Sequence, residues 1–155
     1  MSDRWVFLAA FLTVVLVVAS AFAIPQLFVY ELLTSTIFMV VAVMVFFGED
    51  KFSYMLGMIA PVVWFVFGML TGGFFGQFGA LVRFISGKPS SSFETPLHAC
   101  ATLAALALII FSARVWRKQV TEKFLGKTFT VAIVVSVVWC GILYFWQFAG
   151  GGRPH

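Results

Sequence analysis

The sequence predicts an all-α fold, a polytopic helical bundle built inside a membrane, and three observations carry that prediction. First, 62% of the 155 residues are Ala, Val, Ile, Leu, Met, Phe, Trp, Tyr or Cys, against about 45–50% apolar in an ordinary soluble domain. Mean hydropathy is +1.05. Second, the chain has only ten Lys and Arg and six Asp and Glu, where a water-exposed domain carries about a quarter of its residues charged. Third, apolar runs of about 20 residues, the length that crosses a hydrocarbon core about 30 Å thick, recur along the chain. This composition excludes a soluble globular protein. It also excludes disorder, which needs low hydrophobicity and high charge, and a disulfide scaffold, which needs more than the two cysteines present.

The runs place spans at about 5–24, 28–47, 53–71, 97–116 and 128–148 within a single membrane domain covering 1–155. Continuous Phe, Val, Ile and Leu without period-2 alternation mark helices rather than barrel strands. In the first span, Arg4, the apolar run and Ala21-Phe22-Ala23 also have the form of a secretory signal with a small-residue cleavage site; the topology of the rest is the same either way. Pro25 and Gln26 leave so short a connection that the first two spans form an antiparallel hairpin. Gly48-Glu49-Asp50-Lys51 is the next turn, and Pro61 predicts a kink in the third span. Thr95 and Pro96 read as cap and first position of the fourth.

Between the third and fourth spans the pattern allows two readings. Gly68, Gly72, Gly76 and Ala80 recur every four residues, which on one helix makes a strip of small side chains for close helix packing. Alternatively the helix breaks at Thr71-Gly72-Gly73, and 74–86 lies in the outer interface. Phe74, Phe75, Phe78, Leu81, Val82 and Ile85 then form one apolar face opposite Gln77 and Arg83. A continuous helix from Ser53 to Ile85 would rise about 50 Å, beyond any bilayer, which favours the break.

Lys and Arg in short loops set orientation. Five crossings place Arg4, Lys51, Arg114, Arg117, Lys118, Lys123 and Lys127 on one side, with Arg83, Lys88 and Arg153 on the other. The expectation is a cytoplasmic N-terminus and an external C-terminus, in a bacterial inner membrane given the short loops and the lack of a transit-like leader. Trp5, Tyr54 and Trp116 at the inner ends, and Tyr30, Tyr144 and Trp146 at the outer ends, agree as interfacial anchors. Trp64 and Trp139 fall at mid-depth and read as packing residues.

Few residues are able to carry chemistry. Glu31 is the only acid inside an apolar span, one turn from its outer end, where the helix dipole also favours a carboxylate. His98 lies in the first turn of the fourth span. Glu31, Arg83, Glu94 and His98 therefore form the candidate ligand or ion site, converging under the outer loop. Arg114, Arg117, Lys118, Lys123 and Lys127 are candidates for contact with lipid head groups or an acidic partner surface. Cys100 and Cys140 sit about 5 and 12 Å below the outer boundary, an offset that disfavours a disulfide. No metal-ligand spacing or nucleophile motif is present, and no cofactor is expected; haem through His98 requires a second chain to supply the other ligand. The expected partners are the lipid bilayer and other membrane chains or further copies of this one, not nucleic acid. These features favour a non-catalytic integral membrane subunit or assembly partner of a larger complex. The alternative is a small oligomeric transporter or channel with a polar site at Glu31, Arg83 and His98. An enzyme would have to work from Glu31 and His98 alone.

Overall fold

The computed structural model describes residues 3–48, 50–71, 73–88, 96–119 and 126–149. Its helices are α1 (Asp3–Ala23), α2 (Phe28–Phe46), α3 (Asp50–Leu70), α4 (Gly73–Ile85), α5 (Pro96–Gln119) and α6 (Gly126–Ala149). Five of them, all but α4, are long and apolar enough to cross a membrane. The chain is thus a multi-pass helical membrane protein, and each expected span lies within about three residues of the observed helix. A helix is the natural element here because it satisfies every backbone polar group within its own segment, where no water can.

The connections follow from local chemistry. Ile24 and one 3-10 turn, Pro25–Leu27, reverse the chain between α1 and α2, with Leu27 N–H donating to Ile24 O at 3.0 Å. Gly48 supplies the left-handed turn after α2, with φ +81°, a conformation costly to any residue with a Cβ. α3 runs through Pro61 as one helix. Proline cannot donate to the carbonyl four residues back, so the Gly57 carbonyl loses its helical partner.

Four helices form a ring in the order α1, α2, α3, α5, each packed on the next and α5 on α1. α6 lies outside this ring against α3 and α2, and α4 rests on α5 and α3. The diagonals of the ring differ. α1 and α3 approach each other, whereas no Cα of α2 comes within 8 Å of one in α5. At the centre, the fully buried Phe38 of α2 meets Trp64 of α3 edge-on at 5.5 Å and Trp139 of α6 edge-on at 6.0 Å. Trp139 also donates its indole N–H to Leu33 O at 3.0 Å. Both mid-depth tryptophans are therefore core residues, as their position suggested.

Two expectations need correction. The Gly68–Ala80 spacing does not make a strip on one helix, because the backbone breaks between Leu70 and Gly73: Gly68 belongs to α3, Gly76 and Ala80 to α4, and Gly72 lies outside the described residues. The close approach is made instead at Gly57 of α3, where an added Cβ would stand 2.6 Å from Ser112 Oγ of α5. Tyr54 is no interfacial anchor. It is 1% exposed and donates its hydroxyl proton to Asp3 Oδ1 at 2.8 Å, tying α3 to α1.

Candidate functional site

The candidate site is built from the first turns of two helices that begin at the same end of the bundle. Pro96 opens α5 and so sets His98 one turn in; the Pro25–Leu27 turn starts α2 and sets Glu31 at the same level. Their side chains meet across the diagonal that the backbones leave open. His98 Nδ1–H donates to Glu31 Oε1 at 2.9 Å, with only 10% and 3% of the two side chains exposed. An ionised Glu31 is an acceptor only, so with the carboxylate charged the proton of this contact sits on Nδ1.

The walls of the site are apolar. Trp64 tilts its ring onto His98 at 5.5 Å between centroids, and the chain of rings continues through Phe38 to Trp139. α2, α3, α5 and α6 each contribute one member of this row. Three hydroxyls nearby donate to carbonyls of their own helices: Thr34 Oγ1 to Tyr30 O at 2.9 Å, Ser35 Oγ to Leu32 O at 2.8 Å and Thr102 Oγ1 to His98 O at 3.0 Å, while the Tyr30 hydroxyl, next to Glu31, bonds to the side chains of Thr34 and of Trp64 on α3. One atom is left over. Glu31 Oε2 is buried without a hydrogen-bond partner, an arrangement that costs free energy wherever water is excluded. The α2 N-terminus offsets part of that cost, since its dipole favours negative charge.

Of the four residues expected to converge, the structure joins Glu31 and His98. Arg83 is exposed on α4, and Glu94 lies outside the described residues. Trp64 belongs to the site as well, although its mid-depth position marked it only for packing; the signal was its place on the span between the two polar ones. Cys100 and Cys140 are both free thiols. Among the described residues no three of His, Cys, Asp and Glu stand close enough to hold a metal ion.

At the other end of the bundle the basic residues are turned outward. Arg114, Arg117 and Lys118 are exposed on the last turns of α5, and Lys127 is exposed at the start of α6; Lys123 lies outside the described residues. Trp5 of α1 is 55% exposed beside them, its ring 5.9 Å from that of Phe111.

The chain matches no protein-family model, no curated protein and no solved structure.

Proposed function

We propose that the chain is a non-catalytic integral membrane subunit or assembly partner of a larger membrane complex, with its N-terminus and basic loop on the cytoplasmic side of a bacterial inner membrane. The observation that carries this reading is the Glu31–His98 pair, which turns two buried ionisable side chains of the spans toward each other. The Thr34 and Thr102 hydroxyls beside it donate to their own helices and the Tyr30 hydroxyl bonds to Thr34 and Trp64, so the polar groups around the pair face one another and not an aqueous path. What the bundle presents outward is apolar. α6 is the least buried of the five spanning helices, and Val134, Val137, Val138 and Phe145 are more than half exposed along it. Such a face suits lipid or the span of another chain.

The test is the native mass of the tagged protein, solubilised gently from its own membranes, with every co-migrating chain identified. The expected result is a large assembly with partner chains in fixed stoichiometry. A homo-oligomer of a few copies with no other chain would overturn the proposal.

A second reading, a small oligomeric transporter, is favoured by the unpartnered Oε2 of Glu31. A buried carboxylate oxygen with a vacant lone pair is where a cation or a proton would bind, and intramembrane acids mark such paths. That reading requires flux through reconstituted vesicles that falls by at least about tenfold in Glu31→Gln and His98→Gln, a change of about 1.4 kcal/mol in the barrier.

A further inference from the structure

At the end of the bundle away from the Glu31–His98 pair, α1 and α5 enclose an open groove of about 330 Å³ lined by Trp5, Phe111, Arg114, Val115 and Lys118. The four α5 residues fall at i, i+3, i+4 and i+7, one face of the helix. Val115 is the buried floor, 2% exposed, and the rings of Phe111 and Trp5 stand 5.9 Å apart on the two walls. Arg114 and Lys118 are exposed above them. Residues four apart on a helix have Cβ atoms about 5–6 Å apart, so the two cations can reach one common point. Among the described residues neither has a carboxylate partner. The groove thus carries two chemistries in series, an aromatic wall and, about 5 to 10 Å further along α5, a paired positive charge.

We infer that this groove is a binding site for one phospholipid with an anionic head group. Its acyl chain lies against Phe111 and Trp5, and its head-group phosphate is held between Arg114 and Lys118. Charge complementarity selects the occupant: a Trp at the end of a span marks head-group depth, and unpaired cations at that depth attract anionic lipid. A neighbouring groove sharpens the assignment. On the other side of α1, Asp3, Arg4, Phe7, Leu8, Val45 and Phe46 line an opening of about 390 Å³. It is equally apolar, but its single cation is matched by Asp3, so it has no preference for an anion. The inference holds whether or not the chain joins a larger complex.

Native mass spectrometry of the full chain tests it, with phosphatidylglycerol and phosphatidylcholine of identical acyl chains offered in turn. The wild type should retain one phosphatidylglycerol, preferred by about 30-fold if each cation contributes what a juxtamembrane Lys or Arg contributes toward anionic lipid. Arg114→Gln with Lys118→Gln should reduce that preference to about unity. The charge-conserving exchange Arg114→Lys with Lys118→Arg should keep it, as should Arg4→Gln in the other groove. Excess inorganic phosphate should not displace the lipid. Equal retention of the two lipids by the wild type, or an undiminished preference in the double Gln variant, overturns the inference. Displacement by inorganic phosphate overturns it too, assigning the cations to a free anion.

Discussion

The two diagonals of the four-helix ring are each bridged by a polar contact, at opposite ends of the bundle and by different chemistry. Across α2 and α5 the backbones stay apart, and the link is Glu31 to His98, a pair of ionisable groups with almost no exposure. Across α1 and α3 the backbones approach, and the link is a neutral phenol donating to Asp3 at the start of α1. The first contact spans helices whose backbones do not touch; the second supplements a backbone approach already present. A buried pair is weak evidence of net stabilisation, yet removing one member strands the other where water cannot reach it. Asp3 is the first residue of α1, where the helix dipole favours its charge when Tyr54 changes.

This difference sets an order of expected effects, each read as the midpoint of unfolding in mixed micelles of mild detergent and dodecyl sulfate. Glu31→Leu or His98→Leu should destabilise most, by about 3 kcal/mol, because each leaves a buried ionisable partner uncompensated. Changing both together should restore part of the loss. Gly57→Ala comes next at about 2 kcal/mol, since its Cβ would stand 2.6 Å from Ser112 Oγ and force α3 away from α5. Adding Ser112→Ala should recover most of that, because it removes the clashing atom, a buried hydroxyl without a hydrogen-bond partner. Tyr54→Phe should cost about 1.5 kcal/mol, the lower end for a hydrogen bond to a carboxylate. Arg83→Gln should fall within about 0.5 kcal/mol of wild type, as exposed positions do. A Tyr54 effect as large as that of Glu31 would erase the distinction between the diagonals.

How much of this was readable in advance depends on which physical rule governs each residue. The five spans were legible because lipid forces every crossing segment to be helical and apolar from end to end. The break near Gly72 followed from length alone. Glu31 and His98 were legible as a pair because both stand one turn inside helices that start at the same end, and depth depends only on counting residues. Helical phase is different, because it is set by packing. Arg83 shares the end of the bundle but not the direction, and Tyr54 sits at interfacial depth yet faces α1. Gly57 was missed because an isolated glycine forms no repeat. A cue stood four residues on, at Pro61, whose missing N–H frees the Gly57 carbonyl. That α3 begins at Asp50 rather than Ser53 was hidden because hydropathy rises later than the helix does.

The most direct measurement is the double-mutant cycle at Glu31 and His98, using Leu at each position and unfolding the intact chain in mixed micelles. A coupling of at least about 1 kcal/mol is the expected result, in the range found for contacting residues whose loss is not additive. A coupling near zero would mean that either side chain can lose the other without consequence, and the pair would not be what holds α2 to α5.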